Sequence, residues 1–284
     1  MSDLIHQKTK TKPLAVIKVG GDILLDCGQR TGLAKNILGL LHEGWHVVVI
    51  HGGGPQVSAV QSCYGIEPRK IAGRRITSKE DLVFVKQVLC GQVNVDFVAL
   101  MQAHGINGFG CHGASGRLIE AKKRPPILVS GGGSTPVDFG EVGDVTSINR
   151  TLLLGLLSAD VVPIIASLGV NSKGNVFNIN ADTSAVQVAR KMAAELLIFV
   201  TGIGGIFRDI EDSTSRFAHL NPTTARQHIN SGVIVGGMIP KVEEALSLLE
   251  SGVDTIAIVD TRNALAFTNI AKGKTDYGTL INTE

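Results

Sequence analysis

The chain has 284 residues, 44% of them hydrophobic, with a formal net charge of +2 and four cysteines. That length suits one large domain, or two closely packed halves, with a sizeable buried core. Scattered Lys and Arg give no electrostatic case for nucleic acid, and four widely spaced cysteines without a CxxC argue against a zinc site or a disulfide framework.

Residues 1–13 are polar and lack the apolar core of a signal peptide, which points to a cytoplasmic protein. Short Val- and Ile-rich runs then alternate with longer helical patterns, the signature of a parallel sheet covered on both faces. Residues 14–19 read as a strand, 31–43 as a helix closed by Gly44, and 46–50 as a second strand. Residues 55–64 follow as a helix with Pro55 at its first position. Ser78 caps a long helix to residue 104, with Glu80 and Asp81 in its first turn. Residues 107–111 are strand-like.

Between residues 113 and 145 the texture changes to short segments broken by glycines, which suggests hairpins laid over one edge. The basic run Lys122-Lys123-Arg124 reads as a solvated hairpin there. Residues 152–170 are the most membrane-like, but Asp160 and Pro163 near the middle make them a buried helix followed by a buried strand. The alternation then resumes: helix 148–158, strand 161–166, a hairpin at 171–175, helix 181–192 and strand 196–200. Helices 222–230 and 241–251 and strand 255–259 complete the pattern. The cysteines, Cys27, Cys63, Cys90 and Cys111, read as packing thiols.

Two lysines stand beside diglycines. Lys18 sits in Lys18-Val19-Gly20-Gly21 at the end of an apolar run, and Lys241 follows Gly236-Gly237-Met238-Ile239-Pro240. His51-Gly52-Gly53-Gly54-Pro55 also ends an apolar run. Bare glycine N–H groups beside a fixed cation suit a transferring phosphoryl group, whose charge lies on exposed oxygens. Asn178-Ile179-Asn180-Ala181-Asp182 places two amides and a carboxylate at a helix start; a cap explains one of them, and the carboxylate could hold the lysine ammoniums. Gly73-Arg74-Arg75-Ile76-Thr77 offers a guanidinium suited to a carboxylate, although arginines in a loop are commonly just solvated. Other nucleotide signatures fail. Gly202-Ile203-Gly204-Gly205 falls short of GxGxxG, and Thr268 stands where the first glycine of a P-loop belongs.

Taken together these residues resemble the amino acid kinase family, and within it the branch that phosphorylates N-acetyl-L-glutamate. The resemblance runs from residue 16 to 281 and rests on KVGG at Lys18, HGGGPQ at His51, RRIT at Arg75 and CGQVN ending at Asn94. GDVTSIN ending at Asn149, NINAD at Asn178 and GGMIPK ending at Lys241 complete it. It implies a three-layer αβα sandwich around a mainly parallel eight-stranded sheet, in one domain over 1–284. Residues 14–170 would bind acetylglutamate and 171–284 ATP.

The resemblance also assigns roles. Lys18 and Lys241 would neutralise the moving phosphoryl, oriented by Asp182. Gly20, Gly21 and Gly53 would bind phosphate oxygens. Gly53, Gly54, Arg75, Asn178 and Asn180 would hold the acetylglutamate. Thr201, Gly202, Gly237 and Lys241 would meet the nucleotide, with Mg²⁺ bridging its phosphates and no metal held by the protein alone. The product would be N-acetyl-L-glutamyl 5-phosphate, an intermediate of arginine biosynthesis. The alternatives are a kinase for carrier-linked aminoadipate or glutamate in lysine biosynthesis, and a non-catalytic sensor of the same fold.

Two positions depart from the family pattern. Gly202 replaces the usual Asp after Thr201, and residues 111–116 read Cys-His-Gly-Ala-Ser-Gly where a GKDG-like hairpin is usual. Arginine-sensitive relatives carry a longer N-terminal helix that joins dimers into hexamers. The short segment here implies a homodimer, with a hexamer the alternative, and neither nucleic acid nor membrane as a partner.

Overall fold

The computed structural model describes residues 12–71, 73–128, 135–234, 239, 242–243, 246, 249, 253 and 255–282. Strand β1 (Leu14–Val19) is followed by a short helix α1 (Gly21–Leu25) and by α2 (Cys27–His42). The expected start of α2 at residue 31 lies a turn too late, because the side chain of Asp26 caps the helix by accepting from Gln29 N. Next come β2 (His46–His51), α3 (Gly54–Cys63) and the two-residue strands β3 (Lys70–Ile71) and β4 (Arg74–Arg75).

The long helix of residues 79–103 is built in three parts: α4 (Lys79–Lys86), a π-helical stretch over Gln87–Val93, and α5 (Asn94–Ala103). Ser78 and Asp81 form a reciprocal capping box at its start. Its length and hydropathy would suffice to cross a bilayer. Here Leu82, Val85, Phe97 and Met101 instead bury against the sheet, as in the core helix of a soluble fold.

The chain continues with β5 (Gly108–His112), β6 (Ile119–Lys123), β7 (Gly143–Ile148), α6 (Arg150–Ser158), β8 (Val162–Ala166), β9 (Leu168–Val170) and β10 (Val176–Asn178). Then come α7 (Ala181–Met192), β11 (Leu196–Val200), β12 (His219–Leu220), α8 (Pro222–Asn230), β13 (Thr255–Val259), α9 (Ala266–Ala271) and β14 (Gly278–Asn282). Ile148, expected to open a helix, ends β7 instead, and Asn149 caps α6 by accepting from Leu152 N. The strand and helix after residue 259, β14 and α9, were not anticipated.

The main sheet has eight strands in the order β12-β14-β13-β11-β1-β2-β8-β5. It is parallel except where β14 runs against β13. Strict alternation assigns its side chains to two cores. Leu14, Val16, Val48 and Ile50 face α6, α7 and α8, while Ala15, Ile17, Val47 and Val49 face α2, α5 and α9. This is the expected αβα sandwich. A second sheet, β10-β9-β6-β7, lies over residues 113–178 in place of simple hairpins. Isolated bridges from Thr77 to Gly140 and from Val142 to Asn178 tie it to the loop before α4.

Two cysteines pack as expected: burial pushes the thiols of Cys90 and Cys111 up to about 11 and about 12. Cys27 and Cys63 lie on the surface instead, since they sit on outward positions of α2 and α3.

Candidate active site

Central strand β1 has β2 on one side and β11 on the other, so the chain leaves its carboxyl end at a switch point of the sheet. Lys18 shares its face with Leu14 and Val16, the face packed by α7. Its ammonium therefore meets the first turn of α7, where Nζ lies 2.9 Å from Asp182 Oδ1. Both side chains are largely buried, at 17% and 23% exposure. Asn180 begins the same helix, and its side-chain oxygen accepts from Thr183 N at 2.9 Å. The capping role read from the sequence is thus filled by Asn180, which frees Asp182 for the lysine.

The two glycine loops touch beside this pair. A Cβ on Gly21 would fall 2.8 Å from Gly53 Cα, and one on Gly53 would fall 2.5 Å from Leu89 Cδ2. Only glycine allows this approach. Gln56 Nε2 donates to the Gly21 carbonyl at 2.7 Å from behind.

Arg75 lines the same cleft. It donates to Gly54 O at 2.9 Å, Ser58 Oγ at 2.5 Å and Gln61 Oε1 at 2.5 Å, three acceptors on one face of α3. Gln61 passes the network to Asp81 Oδ1 at 2.6 Å. Burial lowers the Arg75 pKa, partly offset by Asp81, yet the guanidinium stays charged. Among the described residues two of its five donors stay free for a ligand. Asn178 is held nearby by donating to Thr77 Oγ1 at 3.1 Å.

These groups line one cleft of about 1070 Å³. It brings together Lys18, Gly20, Gly21, Gly53, Gly54, Arg75, Asn178, Asn180 and Asp182. Thr201 and Gly202 do not line it; they follow the adjacent strand β11, where Thr201 N donates to Val259 O at 2.9 Å. Gly237 and Lys241 lie outside the described residues, as does most of the N-terminal segment 1–13.

Lining residues that escaped the sequence include Ser167, Glu243 and Arg124. Ser167 follows β8, and Glu243 reaches the cleft from the C-terminal part of the chain. Arg124, expected in a solvated hairpin, is only 12% exposed and binds Asp144 through Nε at 2.8 Å and a terminal nitrogen at 2.7 Å. The acid at the start of β7, in the Gly143-Asp144-Val145 triplet, was the available signal for it.

A sequence profile of the amino acid kinase family matches residues 13–260. The chain belongs to the amino acid kinase family. The acetylglutamate kinase of Anaeromyxobacter sp. (strain Fw109-5) is 41% identical over 244 residues, covering 86% of this chain and 90% of that relative. The crystal structure of smu.665 from Streptococcus mutans UA159 is similar, with a TM-score of 0.73 and 27% identity over 95% of this chain and 99% of that one. Carbamate kinase from Giardia lamblia bound to AMP-PNP shares the fold, with a TM-score of 0.65 and 16% identity over 96% of this chain and 99% of that one.

Proposed function

We infer that this chain transfers the γ-phosphoryl group of ATP to the side-chain carboxylate of N-acetyl-L-glutamate, yielding N-acetyl-L-glutamyl 5-phosphate for arginine biosynthesis. The observation that carries this reading is the polarity of the cleft. A largely buried Lys18–Asp182 pair and two touching glycine loops line the same cleft as the Arg75 guanidinium and the Asn178 amide. A substrate carrying one carboxylate to be phosphorylated and a second to be clamped fits that set of groups.

The acceptor carboxylate is ionised at neutral pH, so no general base is needed. The chain's task is to align acceptor and donor and to neutralise charge on the transferring group. Lys18 supplies one cation, held in place by Asp182. Gly20, Gly21 and Gly53 offer backbone N–H groups to the phosphoryl oxygens. Arg75, Gly54, Asn178 and Asn180 seat the acetylglutamate. Lys241 supplies the second cation and, with Thr201, Gly202 and Gly237, meets the nucleotide; that part rests on their motifs.

Among the described residues no group of three His, Cys, Asp or Glu could hold a metal. Mg²⁺ would enter with the nucleotide and would supply charge neutralisation on its phosphates. Residues 14–170 form the acceptor-binding half, to which Asn178 and Asn180 add, and 171–284 the donor-binding half. We place the enzyme in the cytoplasm as a homodimer.

A coupled ADP-release assay tests the reading. Turnover of ATP should depend on free acetylglutamate. Turnover only with a carrier-linked aminoadipate or glutamate would assign the lysine-pathway reaction instead, and tight ligand binding without turnover would make the chain a sensor.

A further inference from the structure

His51 ends β2 with its side chain fully buried, and the reading above gives it no chemistry. Its contacts fix its state. Asn94 Nδ2 lies 2.9 Å from the carbonyl oxygen of Ile164, which can only accept, so that end of the amide is the NH₂ group. The same nitrogen lies 2.9 Å from His51 Nε2, which must therefore be the accepting, unprotonated nitrogen. Nδ1 then carries the hydrogen, and it donates to the carbonyl of Gly52 at 2.9 Å. Burial pushes the His51 pKa down to about 4, in keeping with a neutral ring.

The Gly52 carbonyl belongs to the peptide unit that ends in the Gly53 N–H. A trans peptide is planar, with its C=O and N–H directed oppositely. A carbonyl drawn towards the buried ring therefore aims the Gly53 N–H the other way, towards the cleft that Gly53 lines. Among the described residues no backbone hydrogen bond uses that N–H. Glycine on both sides of the peptide leaves it free to flip, so the direction has to come from elsewhere. Leu89 and Val93, on the π-helical stretch, hold the Gly53 Cα from behind, and Asn94 begins the helix that follows.

We propose that Asn94 and His51 form a positioning relay that fixes the Gly52–Gly53 peptide so that the Gly53 N–H points at the transferring phosphoryl group. His51 and Asn94 touch neither substrate; they act through the peptide. The proposal rests on the phosphoryl role given to Gly53 above.

Two replacements of His51 separate the relay from simple packing. The amide nitrogen of Asn sits near the position of Nδ1, whereas the amide of Gln reaches the position of Nε2. His51→Gln should lower kcat about 10- to 100-fold, the scale expected for a displaced donor. KM for both substrates should stay within about threefold, since the donor acts mainly in the transition state. His51→Asn should recover most of that loss. Equal impairment of the two variants, or a His51→Gln kcat within about threefold of wild type, would overturn the relay.

Asn94→Ala leaves the ring in place and reads the relay even if the Gln variant does not fold. Its kcat should fall roughly 3- to 10-fold at unchanged KM, and an unchanged kcat would count against the proposal. Long-range ¹H–¹⁵N spectra of the wild type should show His51 neutral with hydrogen on Nδ1; hydrogen on Nε2 would refute the geometry. If wild type turns over acetylglutamate but Lys18→Ala keeps its kcat, the site reading itself has failed, an outcome separate from failure of the relay.

Discussion

The loops after β2 and β11 occupy equivalent places, at carboxyl ends of strands flanking β1, yet they are held very differently. The loop after β2 is fastened along its length. His51 holds the Gly52 carbonyl, Leu89 presses on Gly53, and Arg75 donates to the Gly54 carbonyl. The loop after β11 is tied at its two ends, by Thr201 N to Val259 O at 2.9 Å, Gly204 N to Thr201 Oγ1 at 3.1 Å and Ile206 N to Thr279 Oγ1 at 2.9 Å, and is open at Gly202 between them. A Cβ on Gly202 would meet no atom within 4 Å. The contrast follows from the chemistry. Donors aimed at a transferring phosphoryl must be in place before charge develops, because reorganising them would raise the barrier. On the proposed reading, a loop that meets a nucleotide in ground and transition states alike needs no such placement, in keeping with the open space at Gly202.

The sharpest way to break this comparison is to remove a charge from the fastened end. Lys18→Ala should cost ~2.7–4 kcal/mol of transition-state stabilisation, or ~10²–10³ in kcat, with small changes in either KM. Asp182→Asn, which keeps the volume and removes the charge at 2.9 Å from Lys18, should slow chemistry in the same sense. Lys18→Ala combined with Lys241→Ala should lose less than the sum of the singles, because the groups act as a unit. Steady-state kinetics on variants with wild-type circular dichroism decides. A near-wild-type kcat in Lys18→Ala would mean that the fastened loop is not where phosphoryl charge is met.

The parts of the molecule that could be read from sequence are those whose chemistry is local. Glycines beside a lysine at the end of an apolar run already state a phosphate-friendly backbone, and the parallel sheet shows as continuous Val and Ile. The parts that stayed hidden depend on partners far along the chain. Arg124 looked like one of three solvated cations until β7 brought Asp144 to it, 20 residues away. His51 looked like the first letter of a glycine motif, and its ring is defined only by Asn94, 43 residues on. Nothing local in Gln87–Val93 announces a π-helical stretch. The cap at Asp26 and the strand ending at Ile148 show the same limit at element boundaries, where one side-chain hydrogen bond moves an end by several residues.

Burial of His51 gives the fastened loop a pH signature. Its folded pKa, about 4, lies below the ordinary 6.5, so as pH falls the unfolded chain takes up the proton first. Its contribution to stability is complete above pH 6.5, is lost progressively between 6.5 and about 4, and changes no further below that. The loss should approach about 3 kcal/mol. Chemical denaturation of wild type and His51→Asn at pH 7 and pH 4.5 measures it, since other titrating groups cancel in the difference. Parallel losses in the two proteins would show that the ring is not held neutral by burial.

Arg75 tests whether the acceptor end is a ground-state device. Arg75→Ala removes a charged donor from the carboxylate seat, an interaction of about 1.5–3 kcal/mol. The KM for acetylglutamate should rise roughly 10- to 100-fold while kcat changes little, because the clamp is felt equally in ground and transition states. An unchanged KM with a collapsed kcat would instead place Arg75 in the chemistry, acting through Gly54 and its neighbours in the fastened loop.

The smallest expected effect belongs to the loose loop. The family pattern that the sequence resembles would put an acid where Gly202 stands, and space for one is open, with no atom within 4 Å of a Cβ there. Gly202 is also not among the glycines with positive φ, so an L-residue enters without backbone strain. Gly202→Asp should therefore fold normally and either tighten ATP binding by a few-fold, about 1 kcal/mol or less, or leave it unchanged. If the loop serves binding, as proposed, kcat should not move. The measurement is the KM for ATP together with the ATP-dependent rise in Tm, which separates affinity from turnover. A large loss of ATP affinity would show that this loop has adopted another nucleotide pose around glycine. The loop after β11 would then be a specialised surface, and the open space at Gly202 would reflect a changed ligand geometry instead of relaxed constraint.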